Sequence, residues 1–145
     1  MVDVQKTIYD NAKSHFLGNF PETLPIEQAY VHIGMYLGWV VDNELYSEYF
    51  EDEAEVQIIR FKRRELTCTI LSEIWDGYLG HELFSKRGNM FTYYYYGGGL
   101  YKSDYDELLV KALPSIYHVI DSWENYEKIA NRIEMRFQDW QKLVK

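Results

Sequence analysis

The chain contains one cysteine, Cys68, among 145 residues, so it can form neither an intrachain disulfide nor a cysteine metal cluster. It has only three prolines and shows no low-complexity tail, linker or internal repeat, which predicts a single domain over residues 1–145. Cations are few. Fifteen Lys and Arg against 23 Asp and Glu leave a net charge of −8. That balance disfavours a phosphate-tracking nucleic-acid binder, whose affinity comes from cations neutralising phosphates. No apolar run is long enough for a membrane span, which needs about 17–25 residues: the longest uncharged and nearly nonpolar stretch, 29–41, stops at Asp42. The opening MVDVQKTIYD lacks the regions of a signal peptide, and the cytoplasm is the expected compartment.

What the chain does have is apolar and aromatic material. It is 47% hydrophobic and 17% aromatic, with 14 Tyr and 4 Trp, enough for a real core. Stretch 29–41, AYVHIGMYLGWVV, organises the rest. Pro25 suits a first helical position and Glu27 the positive end of the dipole, predicting a helix over about 25–42. At 100° per residue, Gln28, His32, Met35, Tyr36 and Trp39 share one face, and Tyr30, Gly34, Leu37, Gly38 and Val41 roughly the opposite one. Both faces are apolar, so the helix should be buried all round. Gly34 and Gly38, one turn apart, suggest that another backbone crosses close to that face.

Before this helix, Asp3 could cap a first helix carrying Val4, Ile8, Ala12 and His15 or Phe16 on one stripe, ending near Gly18 and Asn19. After it, 42–55 holds seven acids and no bases, whereas 60–64 holds four bases. The polarity fits the start and end of a helix, and the acids could also form a docking surface for a cationic partner. Thr67 is a cap for a short helix through Trp75, stopped by Asp76-Gly77. Arg87, Gly88 and Asn89 read as a turn before a helix over 90–96, whose tyrosines 93–96 point in all directions. Ser103 reads as the next cap, with Pro114 ending that helix. Ser122 caps the clearest helix, at about 123–143, where Trp123, Tyr126, Ala130, Ile133, Phe137, Trp140 and Val144 follow a three-four spacing. The seam should pack on the central helix; a coiled-coil homodimer is the alternative. The expected fold is thus mainly α, a compact multi-helix domain around a buried central helix.

Tests for familiar chemistry fail. Residues 97–103, GGGLYKS, lack the glycine directly before lysine that a phosphate loop needs. His81-Glu82 begins like a zinc helix, but Ser85 stands where the second histidine belongs. His15, His32, His81 and His118 are far apart with no ligand spacing, and 104–106 lacks a calcium-loop pattern. Cys68 reads as a buried structural thiol. The expectation is therefore no catalytic residue, no metal and no cofactor.

Tyr9-Asp10-Asn11-Ala12-Lys13 with His15-Phe16, AYVHIGMYLGW at 29–39, Asp76-Gly77, Gly88-Asn89-Met90-Phe91, Tyr94-Tyr95, Tyr105 and Trp123-Glu124-Asn125-Tyr126 together resemble a small bacterial domain family of unknown function. The resemblance covers nearly the whole chain and assigns no chemistry to any residue. It implies a cytoplasmic bacterial protein of the kind encoded near toxins, where small acidic proteins act as immunity factors. The expected function is then immunity: binding and neutralising a toxin, plausibly a basic nuclease, through an acidic, tyrosine-rich surface. The candidate contact residues are Asp42, Glu44, Glu48, Glu51, Asp52, Glu53, Tyr94, Tyr95, Tyr101 and Asp104. The alternative is a small enzyme or ligand sensor, with Tyr9, Asp10, His15 and His32 around a pocket beside the central helix. That alternative requires His15 and His32 to come within hydrogen-bond reach of Asp10 in an open cleft.

Overall fold

The structure, a computed structural model, describes residues 7–144. The proposed cap Asp3 and the core position Val4 lie outside the described residues. In chain order the elements are β1 (Ile8–Asp10), α1 (Ala12–Leu17), a 3-10 turn (Ile26–Tyr30), α2 (Val31–Asp42), α3 (Glu48–Lys62), α4 (Cys68–Glu73), β2 (Leu79–Gly80), α5 (Lys86–Tyr95), α6 (Leu100–Tyr105) and α7 (Trp123–Leu143). Shorter turns over 81–83, 106–110 and 116–118 complete them. The fold is mainly helical, and no helix among the described residues is long and apolar enough to cross a membrane.

Every residue from 31 to 41 is buried, so α2 is covered on both faces as its composition requires. The expected close approach occurs at Gly34: a Cβ there would lie 2.1 Å from the backbone oxygen of Cys68, where α4 crosses. At Gly38 the expectation is corrected. Rings rather than a backbone occupy that side, and a Cβ would meet Phe61 at 2.6 Å and Tyr126 at 3.0 Å. α7 lays its seam on this layer through Tyr126, Ile129, Ile133, Phe137 and Trp140, all buried, and Trp39 meets Phe137 with centroids 5.3 Å apart. Of the expected seam positions Trp123 and Ala130 are only half-buried, Ile129 taking the buried place beside Ala130, and Val144 is exposed beyond the end of the helix.

Three other local expectations are revised. The first helix is shorter than its stripe suggested, because Ile8 lies in β1, paired antiparallel with Gly80, and Asn11 supplies the cap by accepting from Ser14 N at 2.7 Å. Pro25 precedes a 3-10 turn rather than starting the α-helix directly. Residues 87–89 lie inside α5, whose cap is Ser85, and α6 starts after Gly99, at φ +86°, so Ser103 is interior. A backbone φ near +86° is one that glycine adopts without the Cβ clash other residues meet. Thr67 and Ser122 cap α4 and α7 as read from the sequence. Cys68 is buried as expected, and burial pushes its thiol pKa up.

Candidate functional site

Where β1, α1, α2, the 96–99 loop, α6 and the 116–118 turn meet, a cleft of about 270 Å³ opens beside the start of α2. Its floor is built from residues far apart in the chain. Pairing of β1 with β2, extended by His81 N donating to Thr7 O at 3.0 Å, holds Asp10 at the mouth of α1. The Asn11 cap then starts α1 and places His15 one turn on. His32 comes from the first turn of α2. The Gln28 side chain donates to the carbonyls of Tyr117 (2.8 Å) and Val119 (3.0 Å), holding the turn that carries Tyr117.

Asp10 is the hub. Its Oδ1 accepts from Asn11 N at 2.8 Å and lies 2.7 Å from His15 Nε2; its Oδ2 lies 3.2 Å from His32 Nε2 and accepts from the Tyr96 hydroxyl. The two imidazole Nε2 atoms are 3.2 Å apart, with ring planes at 85°. His15 Nδ1 lies 2.5 Å from the Tyr117 hydroxyl, and Tyr101 donates to the His32 carbonyl at 2.5 Å. Depth is graded: side-chain exposure falls from 22% at His15 through 14% at Asp10 to 4% at His32. His15 is the group that solvent reaches.

These surroundings set the charges. Burial pushes the Asp10 carboxyl up, but hydrogen bonds from His15 and His32 outweigh it and hold it well below the usual range, so it is ionised. Burial lowers the pKa of His32 despite the opposing effect of Asp10, which leaves that ring neutral near pH 7. Its Nδ1 is buried without a partner among the described residues. The network therefore assigns the single proton of the ring to Nε2, facing the carboxylate. Tyr96 and Tyr117 have pKa values raised by burial and by the Asp10 charge, so both keep their hydroxyl protons. A carboxylate is thus surrounded by donors in a cleft whose remaining wall is largely tyrosine.

The structure brings together three of the four pocket residues expected from the sequence. Asp10, His15 and His32 form the hub, while Tyr9 lines the cleft but sends its hydroxyl away to Asn89 Oδ1 at 2.7 Å. Sequence reasoning missed Tyr96 and Tyr117, which lie 86 residues from Asp10 and 102 from His15. No spacing rule relates residues so far apart. His81 and His118 do not join the cleft; His118 Nδ1 lies 2.7 Å from Ser115 Oγ. A larger groove of about 750 Å³ runs between α5 and α7, lined by Lys86, Arg87 and Lys142 with Met90 and Trp140, and it contains no acid–base pair.

The proposed contact surface fares differently. Tyr95 and Tyr101 are buried, and Asp104, 3% exposed at its side chain, is enclosed by Arg132, Arg136 and Tyr95, so none of the three is available to a partner. The reason is geometric: the face of α5 carrying Phe91 and Tyr95 points to the core, and α6 lies over α7. Asp42 is already bonded to Arg64 (2.9 Å) and Tyr126 (2.6 Å), and Glu44 is bonded to Lys62 (2.8 Å). Glu48, Glu51, Asp52 and Glu53 on α3 remain exposed, and so does Tyr94.

Comparison with curated proteins and with solved structures gives no match. The model of one family, described as a domain of unknown function, DUF7832, matches residues 8–119, a span that contains every residue lining the cleft and ends before α7. The chain belongs to the DUF7832 family.

Proposed function

We propose that the protein acts on a small molecule in this cleft, as an acid–base enzyme. One observation carries the reading: a single ionised carboxylate gathers two imidazoles and a tyrosine hydroxyl in a pocket open to solvent. Buried titratable groups converging in a cleft are a recurrent mark of functional sites, whereas a stability role would not need the opening. At about 270 Å³ the space suits a compact substrate rather than a polymer. Asp10 orients both rings; His15, at the mouth, exchanges a proton with a ligand through the Tyr117 hydroxyl that its Nδ1 meets, its Nε2 being held by Asp10. The test is a panel of chromogenic carboxylate and phosphate esters, assayed with wild type and His15→Gln. Turnover above background that falls by about 10²- to 10⁴-fold in the variant supports the reading. No turnover of any member by wild type, or turnover unchanged in the variant, refutes it.

A second reading keeps the immunity role, supported by the α3 face alone. Glu48, Glu51, Asp52, Glu53 and Glu55 are exposed and make no ion pair among the described residues; Tyr49 and Val56 are exposed on the same helix. Such a surface would speed encounter with a basic toxin and anchor it on an aromatic side chain. Co-purification with the product of an adjacent toxin gene, lost on charge reversal of Asp52 and Glu53, would support it. Failure to protect cells expressing that toxin would count against it.

A further inference from the structure

The geometry points to a binding site for a first-row divalent transition-metal ion, of the zinc, cobalt or iron(II) class, held by Asp10, His15 and His32. The inference rests only on the reading of the cleft as a small-molecule site and names what would occupy its floor; with an ion held there His15 is a ligand rather than the group that exchanges a proton. A tetrahedral ion with ligand bonds of about 2.0–2.2 Å holds its donor atoms roughly 3.3–3.6 Å apart. Here Nε2 and Nε2 are 3.2 Å apart, His32 Nε2 lies 3.2 Å from Oδ2, and His15 Nε2 lies 2.7 Å from Oδ1. The two rings address different oxygens, so to admit an ion the His15–Asp10 pair must open and the carboxylate must either turn one oxygen toward both rings or chelate through both. Two imidazoles and one carboxylate are a donor set that suits these metals and leaves coordination positions free for water or substrate.

Chemistry separates this cluster from a purely structural hydrogen-bond network. Two ring nitrogens stand 3.2 Å apart, each on its own oxygen of one carboxylate, so without an ion two N–H groups are held side by side at close range. An ion replaces both protons at that point, and each neutral ring then carries its proton on Nδ1. For His15 an acceptor is in place, the Tyr117 oxygen at 2.5 Å, and Asp10 keeps Asn11 N and the Tyr96 hydroxyl as outer partners. Outer hydrogen bonds of this type orient metal ligands. His32 Nδ1 has no acceptor among the described residues, which makes the affinity lower than that of a site with both rings supported. Cys68 and the other two histidines lie outside the cleft, so the site depends on these three side chains.

The test uses untagged, chelator-treated full-length protein titrated with Co²⁺, followed by its visible d–d bands and by competition with Zn²⁺. Wild type should bind one equivalent; Asp10→Ala and His15→Ala should weaken binding by about 100-fold or more, and Tyr117→Phe by about 10- to 100-fold. His81→Ala should bind as wild type does. His15 is partly exposed, so its variant is the one expected to keep the fold, checked by circular dichroism. No one-equivalent binding by wild type, or binding unaltered in folded His15→Ala, overturns the metal site. Ester turnover that depends on His15 yet persists in chelator would overturn the metal site while sustaining the acid–base reading; stoichiometric Co²⁺ binding without turnover would do the reverse.

Discussion

Replacing Asp104 by alanine should destabilise the fold by about 3 kcal/mol at pH 7, and the structure shows where that figure arises. The carboxylate accepts from Arg136 Nη2 and Nε at 2.8 and 2.9 Å, from Arg132 Nη1 at 2.9 Å and from Tyr95 at 2.7 Å. Its removal strands the fully buried Tyr95 hydroxyl, which costs about 1–3 kcal/mol. The Arg132 and Arg136 side chains are 22% and 34% exposed and their guanidiniums can turn to water, and Arg132 keeps Glu107 at 2.7 Å, so each contributes only about 0–1 kcal/mol. Arg132→Ala should therefore cost less than about 1 kcal/mol. Acid adds a second readout. Burial pushes the Asp104 carboxyl up, but hydrogen bonds from Arg136, Tyr95 and Arg132 outweigh it, so its folded pKa lies below the usual value. The stabilisation is thus complete above the unfolded pKa of about 4 and is lost as pH falls through the folded pKa. Below pH 4 the wild type should lose up to about 1.4 kcal/mol per pH unit more than Asp104→Ala. Urea unfolding at pH 7 and through the acid range measures both. A loss under about 1 kcal/mol at pH 7, or parallel acid slopes, would refute the reasoning.

Gly34→Ala gains about 1 kcal/mol of helix propensity but drives a Cβ to 2.1 Å from Cys68 O, an atom of the α4 backbone that no rotamer change can move. A net loss of about 1–2 kcal/mol is expected; an unchanged thermal midpoint would show that the α2–α4 crossing is slack. Ser122→Ala should cost about 1 kcal/mol, because Ser122 Oγ accepts from Asn125 N at 3.1 Å at the start of α7, and a urea midpoint equal to wild type would show that the cap is dispensable.

What could be read in the sequence was what local chemistry decides. The three-four spacing of Tyr126, Ile133, Phe137 and Trp140 dictates one buried stripe, and a hydroxyl at Ser122 or Thr67 satisfies a helix start wherever the helix is placed. The unbroken apolar surface of 31–41 has no stable place except inside. Such rules act over one or two turns, so they say nothing about which side chains meet. The destinations of the tyrosine hydroxyls show this most clearly. Composition alone leaves Tyr95 and Tyr101 as free to mark a contact surface as Tyr94, yet the packing of α5 and α6 turns them inward, onto Asp104 and the His32 carbonyl. Asp10, His15 and His32 could be named as candidates, but their meeting depends on a strand pairing across 70 residues of chain and on the start of α2 lying under α1. Tertiary packing alone decides that convergence, because the attraction that draws a carboxylate to two imidazoles acts only after the fold has brought them within a few ångströms.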